Sequence, residues 1–178
     1  YNNSIHIIAN PVKVIQESTV AGTEISLPSG KRIVAMGQLS PQKGFDLLLQ
    51  VFARIYKSHQ DWKLIILGTG QLLDELKQMS IRLGIDKSVY FPGSVKNPFS
   101  IFSRCDLFVL SSRYEGFPNA LLEAMACGLP VISYDCHSGP GEVIKDNVNG
   151  LLVPPNDLDD LEDAIKRLIN DDKLRASL

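Results

Sequence analysis

The sequence predicts a doubly wound α/β fold built on one parallel sheet. Short apolar runs alternate with helical patterns along most of the chain, and glycine-rich or polar loops follow nearly every apolar run. This alternation requires crossover connections between parallel strands, which places helices on both faces of the sheet. We therefore expect a sheet covered on both sides, with its special loops gathered at one edge.

Each predicted strand is a short run of consecutive apolar residues, which is typical of strands buried on both faces. In chain order, the predicted strands are 33–36, 64–67, 89–91, 107–110, 131–133 and 151–153. The predicted helices carry apolar residues at helical spacing and cover 45–59, 72–83, 99–104, 119–127 and 158–170. Pro118 suits the first turn of the fourth helix because proline has no N–H to lose, and Gly128 followed by Pro130 ends that helix.

The first 30 residues differ in composition from the repeating units that follow. Residues 5–8 predict a lead-in strand, and Pro28, Ser29 and Gly30 form a break before the first core strand. Residues 1–30 are therefore interpreted as a strand and linker that enter from an earlier, missing domain, and 31–178 as one α/β domain. The chain also stops at Leu178 within a helical pattern, as expected of a fragment.

The amino-acid composition argues against several classes of function. Apolar residues make up 44% and charged residues 21% of 178 residues, with a formal charge of -2, which argues against disorder and against a nucleic-acid partner. Three cysteines without a C-x-x-C pair indicate reduced thiols and a cytoplasmic protein. The sequence has no apolar run of roughly 20 residues, the length that a membrane helix needs.

One ligand site is predicted at the carboxyl edge of the sheet, where open α/β sheets bind ligands. The loops that follow the strands there are 37–44, 68–70, 93–95, 111–118 and 134–142. Within them, Glu115 lies in a loop and Glu123 on the following helix, in an E-x7-E pattern. An ionised Glu123 among leucine, alanine and methionine needs a hydrogen-bonding partner.

The start of that helix predicts an anion site. Free N–H groups at Asn119, Ala120 and Leu121 would face an anion, since a helix N-terminus carries about half a positive charge. A diphosphate fits this place. Gly116 would let the ligand approach the backbone closely, because it has no Cβ.

The flanking sequence resembles the C-terminal domain of GT-B-fold retaining glycosyltransferases of family 4, which combine E-x7-E with A-M-A-x-G-x-P-V. The matching segments are G-Q-L-S-P-Q-K-G-F at 37–45, L-G-T-G at 67–70, F-P-G-S-V at 91–95, S-S-R-Y-E-G-F-P-N-A-L-L-E-A-M-A-C-G-L-P-V-I at 111–132 and N-G-L-L-V-P at 149–154. The likeness covers about residues 30–175 and implies a Rossmann-like domain, the C-terminal half of a GT-B fold, that binds a nucleotide sugar.

The resemblance also implies roles for individual residues. Glu123 accepts hydrogen bonds from the ribose hydroxyls, Glu115 lies beside the donor sugar, and Lys43 holds the diphosphate as a point charge. Backbone amides around Gly116, Phe117 and the start of the helix meet the sugar and phosphates. The predicted donor-binding set is Gly37, Gln38, Lys43, Gly68, Val95, Glu115, Gly116, Phe117, Asn119, Ala120, Leu121 and Glu123, with Glu115 and Lys43 as catalytic residues.

The sequence departs from the family pattern at Gln38, where relatives usually carry arginine. A glutamine donates without charge assistance, so Lys43 is expected to carry more of the phosphate charge. Arg113 is a candidate substitute, with a structural arginine as the alternative, and His137 is a candidate crevice residue. The 135–142 loop, D-C-H-S-G-P-G-E, resembles bacterial surface-polysaccharide enzymes that transfer hexoses or N-acetylhexosamines to lipid-linked acceptors.

Other ligands are less well supported by the sequence. The loop 93–96, through the backbone at Val95, is expected to pair with uracil, as in relatives. Residues 68–70 lack the full G-x-G-x-x-G pattern and predict a tight turn rather than an NAD site. The D-x-D at 157–159 starts the last helix, so it is interpreted as a cap and not as a metal site. His6, His59 and His137 have no zinc spacing, and neither a metal nor another cofactor is expected.

The predicted reaction is transfer of a hexose or N-acetylhexosamine from a UDP-sugar to a saccharide or lipid-linked saccharide, with retention and without metal. The missing N-terminal domain would hold the acceptor, so the isolated domain is expected to be inactive. The full-length protein is expected in the cytoplasm, and peripheral membrane association of that protein is left open. A UDP-sugar epimerase or hydrolase, and a non-catalytic nucleotide-binding module, remain alternatives.

Overall fold

A computed structural model describes residues 25–178 and contains a single six-stranded sheet. Every predicted strand is present, the first two begin two residues earlier than predicted, and the third extends to Gly93. The strands are β1 (Lys31–Met36), β2 (Trp62–Leu67), β3 (Val89–Gly93), β4 (Leu107–Leu110), β5 (Val131–Tyr134) and β6 (Leu151–Val153). The doubly wound α/β prediction is confirmed.

All strand pairs are parallel, and the strands lie in the order β3-β2-β1-β4-β5-β6. The chain therefore builds outwards from β1 in one direction and then returns to build outwards in the other. This reversal falls between β1 and β4, where Ile33 pairs with Leu107. In sheets of this order, the crevice outside the carboxyl ends at the reversal point is the usual ligand site.

The helices alternate with the strands as predicted, with small differences at their ends. They are α1 (Phe45–Tyr56), α2 (Leu73–Arg82), α3 (Phe99–Phe102), α4 (Asn119–Ala126), α5 (Pro140–Val143), α6 (Leu158–Asn170) and α7 (Asp172–Ser177). None of these helices is long and apolar enough to cross a membrane.

The prediction that Pro118 belongs to the first helical turn is wrong. Pro118 has ψ 65°, outside the helical region, and α4 begins one residue later. Two short helices, α5 and α7, were not predicted. Pro140 in the first turn of α5 and the Asp171 cap of α7, whose carboxylate accepts from the N–H groups of Lys173 and Leu174, are the sequence signals that could have found them.

The sheet is buried on both faces, and successive side chains of its strands alternate between two hydrophobic cores. Ile33 and Ala35 pack with α1 and α6 on one face, whereas Val34 packs with α3 and α4 on the other. All three cysteines are unpaired, and burial raises the pKa of the Cys105 thiol to about 12. Dense packing on both faces leaves the loop-bearing edge as the place for ligand contacts.

The structure describes only part of the segment that bears on the predicted boundary at residue 30. The predicted lead-in strand at 5–8 lies outside the described residues. Residues 25–30 form no strand or helix, and β1 begins at Lys31. Assignment of residues 1–30 to a linker from another domain stays a prediction.

Candidate functional site

Two adjoining cavities at the carboxyl edge of the sheet form the candidate site, hereafter the crevice. The first has a volume of about 440 Å³ and is lined by Met36, Gly37, Gln38, Leu67, Gly68, Thr69, Gly70, Ser94 and Val95. The second, of about 280 Å³, is lined by Met36, Gly37, Gln38, Lys43, Leu110, Glu115, Phe117, Pro118, Asn119, Ala120 and Glu123. Three residues are common to both, so the two cavities are neighbours.

A larger concavity, of about 520 Å³, lies at the opposite edge of the sheet, where the strands begin. Lys31 and Asp106 in its lining are already paired with each other: Lys31 Nζ lies 3.0 Å from Asp106 Oδ1, and the backbone N–H of Arg32 donates to the same carboxylate at 2.8 Å. Size therefore does not identify the site here, and the chemistry favours the carboxyl edge.

The floor of the crevice is formed by loops that meet backbone to backbone. Gly68 has φ 137°, and a Cβ added there would lie 1.9 Å from the carbonyl oxygen of Gly37. The loops are joined by hydrogen bonds from Gly37 N–H to Leu67 O and from Leu39 N–H to Thr69 O. Only glycine at position 68 permits this approach, which brings the loops after β1 and β2 together.

Lys43 is positioned by the same floor. It ends a 3-10 turn, and its side chain lies across Gly37, where an added Cβ would be 3.1 Å from Lys43 Cγ and Cδ. Its Nζ reaches Glu115 Oε1 at 2.6 Å, and the two side chains are 19% and 4% exposed. The two predicted catalytic residues, which are 72 positions apart, thus form one partly buried ion pair.

Glu115 has further partners that the sequence did not reveal. Ser112 Oγ donates to the same Oε1 at 2.6 Å, and Ser138 Oγ donates to the backbone oxygen of Glu115 at 3.1 Å. The neighbouring hydroxyl, Ser111 Oγ, donates to the backbone oxygen of Lys43 at 2.9 Å. No sequence motif assigned these serines a role, since their partners depend on how three loops converge.

Glu123 faces the second cavity from α4 and is the one member of the E-x7-E pair without a protein partner. Within residues 25–178 no group donates a hydrogen bond to its carboxylate, and burial raises its pKa above the ordinary glutamate value. Residues 25–178 therefore do not supply the hydrogen-bonding partner that the sequence predicts for Glu123. A ligand with hydroxyl donors would satisfy it.

The start of α4 offers fewer free donors than the three that were predicted. The N–H of Asn119 donates to Phe117 O, and the N–H of Leu121 donates to Pro118 O, both at 3.0 Å, because Pro118 turns the chain before the helix begins. Within the described part of the chain, Ala120 N–H has no acceptor, and Ala120 lines the second cavity. Of the three predicted donors at the start of α4, only the N–H of Ala120 is therefore free within residues 25–178.

Two predicted residues lie outside the lining. Leu121 is fully buried beneath the crevice, and Gly116 is not a lining residue, although a Cβ added there meets no atom within 4 Å. Val95, Gly68 and Gln38 all line the first cavity, as expected. Met36, Leu110 and Pro118 also line the crevice but were not predicted, because they carry no distinctive chemistry in the sequence.

Arg113 has a structural role and does not reach the crevice. Its guanidinium contacts both oxygens of Asp46, at 2.9 and 2.7 Å, and the backbone oxygen of Pro41 at 2.6 Å. The hydrogen bond from Arg113 holds the pKa of Asp46 below its ordinary value. The candidate phosphate role of Arg113 is not supported, and His137 is exposed and absent from the lining.

Asp157 caps α6, as predicted. Its Oδ1 accepts from the N–H groups of Asp159 and Asp160, both at 3.0 Å, which is the geometry of a helix cap. No group of three or more histidines, cysteines, aspartates or glutamates is arranged to hold a metal anywhere in residues 25–178.

The strand order and the crevice at its reversal point define the class of protein: a Rossmann-like domain with a candidate ligand site at the carboxyl edge of its sheet. Comparison with known families agrees with this class. Residues 24–178 match the model of the glycosyl transferases group 1 family, and the chain belongs to that family.

Similar proteins include a curated relative and two solved structures. The N-acetylgalactosamine-N,N'-diacetylbacillosaminyl-diphospho-undecaprenol 4-alpha-N-acetylgalactosaminyltransferase of Campylobacter jejuni is 36% identical over 147 residues, 83% of this chain and 40% of the relative. The C-terminal domain of a Francisella tularensis group 1 glycosyl transferase superimposes with a TM-score of 0.77 and 31% identity, covering 85% of this chain and 81% of that chain.

The second structure, S. aureus TarM in complex with Fondaparinux, alpha-GlcNAc-glycerol and UDP, has a TM-score of 0.80 and 28% identity, covering 89% of this chain and 32% of that chain. The chain spans between 16% and 47% of the length of the first curated relatives it matches. Sequence and structure comparisons therefore agree on the family and on which part of a longer architecture this chain resembles.

Proposed function

We propose that this chain is the donor-binding half of a retaining, metal-independent glycosyltransferase that uses a UDP-sugar. The observation that carries the proposal is that one lysine and two carboxylates, Lys43, Glu115 and Glu123, line the same cavity at the reversal point of the strand order. The family is named for glycosyl transfer, and UDP is bound in a structure that this chain resembles.

The nucleoside end of the donor would lie towards Glu123. A half-buried carboxylate with no protein donor requires an external one, and the vicinal hydroxyls of a ribose supply two. The first cavity, bounded by Ser94 and Val95, would then receive the base. This arrangement satisfies the one carboxylate of the crevice that the protein leaves unpaired.

The diphosphate would lie between Lys43 and the start of α4. The ammonium group of Lys43 and the unoccupied N–H of Ala120 border the same cavity, and Gln38 offers a neutral amide donor. These groups would stabilise the negative charge that grows as UDP leaves, in the manner of a preorganised electrostatic site. Lys43 would thereby take the place that a metal ion has in other folds.

The sugar would lie beside Glu115. Its Oε1 is already occupied by Ser112 and Lys43, so the other oxygen is the one that accepts sugar hydroxyls. With the carboxylate held by two donors, we assign Glu115 to sugar binding rather than to covalent catalysis. The transferred group would be a hexose or an N-acetylhexosamine.

The acceptor would be a saccharide or a lipid-linked saccharide. A Campylobacter relative acts on a diphospho-undecaprenol-linked sugar, and the chain covers 40% of that relative. A further domain would close over the crevice and present the acceptor, on the cytoplasmic side of the membrane that carries the lipid.

A calorimetric binding panel with UDP, GDP, ADP and UDP-sugars tests the site. We expect UDP to bind most tightly, and Lys43→Ala and Glu123→Gln each to weaken UDP by roughly tenfold, since each removes a charged partner of the ligand. A matched control is Lys63→Ala, which removes a lysine remote from the crevice. Equal affinity for all nucleotides, or unchanged affinity in both site variants, would contradict the assignment.

A further inference from the structure

Two consecutive buried serines at the end of β4 hold the two members of the central ion pair. Ser111 and Ser112 are each 1% exposed, yet neither lines the crevice. Ser111 Oγ donates to the backbone oxygen of Lys43, and Ser112 Oγ donates to the carboxylate of Glu115. A buried hydroxyl bonded to a carboxylate forms a charge-assisted hydrogen bond, which is stronger than a neutral one.

The two donors on Glu115 differ in how they respond to a ligand. Ser112 Oγ and Lys43 Nζ both reach Oε1 at 2.6 Å, while Oε2 accepts nothing from residues 25–178. A diphosphate in the crevice would compete with Glu115 for the ammonium group of Lys43. The neutral hydroxyl of Ser112 would stay hydrogen-bonded to the carboxylate. Ser112 is then the donor that keeps the carboxylate in place when the site is occupied.

We propose that Ser112 is a positioning residue for the donor sugar. Its hydroxyl donates to Oε1 of Glu115, which leaves Oε2 oriented to accept hydrogen bonds from the sugar hydroxyls. This inference rests on the proposed function and deepens it. Ser112 acts through Glu115 and touches no ligand, since it lies behind the lining of the crevice. Its loss should therefore affect recognition of the sugar and spare that of the nucleotide.

The test compares the sugar's contribution to binding in wild type and in Ser112→Ala. The dissociation constants of UDP, UDP-glucose and UDP-N-acetylglucosamine are measured by calorimetry, and the contribution is the ratio of the UDP constant to that of the tighter UDP-sugar. We expect the ratio to fall roughly tenfold in Ser112→Ala, the size expected for one lost charge-assisted bond, with UDP affinity within about threefold of wild type.

Three other variants separate positioning from stability. Glu115→Gln should lower the ratio as well and bind UDP more tightly, because a negative charge beside the diphosphate is gone. Ser112→Thr keeps the hydroxyl and should retain the wild-type ratio. Ser133→Ala removes a fully buried hydroxyl that donates to Tyr134 O, away from the crevice, and should lower the melting temperature without changing the ratio.

The outcomes separate the positioning role of Ser112 from the proposed function of the domain. A wild-type ratio in Ser112→Ala, a wild-type ratio in Glu115→Gln, or an equal loss in Ser112→Ala and Ser112→Thr would overturn the positioning role while UDP binding still supports the proposed function. Absence of UDP binding in the wild-type protein would instead overturn the proposed function, and the inference with it.

Discussion

At the residue scale, Glu123 carries a charge that costs stability and that the proposed function would use. Its carboxylate is half-buried, has no donor within residues 25–178, and has a raised pKa because burial disfavours its charged form. A glutamine of the same shape would avoid that penalty. In the proposed function Glu123 binds the donor, so function and stability conflict at this position.

This conflict predicts that Glu123→Gln makes the ligand-free protein more stable at pH 7. A raised folded-state pKa gives a stabilising contribution that is full below the unfolded value of 4.5 and is lost as pH rises through the folded value. The gain should be less than about 1 kcal/mol, because water screens a partly exposed carboxyl. Urea denaturation at several pH values between 4 and 8 measures it, and the gain should shrink towards the acidic end.

Glu162→Gln is the matched control of opposite sign. Burial acts to raise the pKa of Glu162, but hydrogen bonds from Lys166 and Arg54 outweigh it and the pKa is lowered. Its contribution is therefore present above the unfolded pKa and is lost as pH falls, so this variant should be less stable than wild type at pH 7. A loss of stability in Glu123→Gln at pH 7 would contradict our interpretation of Glu123.

At the element scale, the loops after β1 and β4 are joined by several hydrogen bonds. Arg113 N–H donates to Gln42 O at 2.8 Å, the amide of Gln42 donates to Tyr114 O at 3.0 Å, and the Arg113 guanidinium joins Pro41 and Asp46. Lys43 belongs to the first loop and Glu115 to the second. Hydrogen bonds made by the residues next to Lys43 and Glu115 thus hold the two loops together.

A double-mutant cycle of Arg113→Ala and Asp46→Ala should show a coupling of about 0.5–1 kcal/mol at pH 7, since the pair is bidentate but about one-third exposed. The hydrogen bond from Arg113 lowers the pKa of Asp46 below 3.8, so the coupling is present above that value and is lost as pH falls through the folded pKa. Denaturation at pH 7 and near pH 2 to 3 measures both points. A coupling that is independent of pH would exclude this account.

At the scale of the whole molecule, the strand order determines where the site lies. The direction in which the chain adds strands to the sheet reverses between β1 and β4, and the loops after these two strands border the second cavity. The crevice is open on the side away from the sheet, and the chain spans less than half the length of its first relatives. Under the proposed function, a further domain would complete the site.

This openness predicts that the 178-residue chain binds UDP and UDP-sugars but transfers no sugar by itself. Release of UDP from the donor should be at least about a hundredfold faster in a longer protein that carries an acceptor domain, because closure positions the acceptor and excludes water. The rate is measured with and without a saccharide acceptor. Acceptor-independent release would favour a hydrolase or epimerase, and binding without release in the longer protein would favour a non-catalytic module.

Sequence reasoning was accurate where local pattern decides structure. All six strands were predicted because each is a buried apolar run between turn residues, and the Asp157 cap followed from acids at a helix start. It missed α5 and α7, which have fewer than two turns each, too short for helical periodicity to show. It placed Pro118 inside α4, although the turn that directs Phe117 and Pro118 towards the crevice requires a non-helical ψ.

The sequence by itself determined the fold class, and it predicted a ligand site at the carboxyl edge of the sheet with Lys43, Glu115 and Glu123 as its charged groups. Only the tertiary structure decided how these groups are paired. It joined Lys43 to Glu115, gave Glu115 a buried serine donor, directed Arg113 to Asp46, and left Glu123 unpartnered. The physical reason is that periodicity and turn chemistry act over a few residues, whereas these hydrogen bonds depend on loops brought together by the order of the strands.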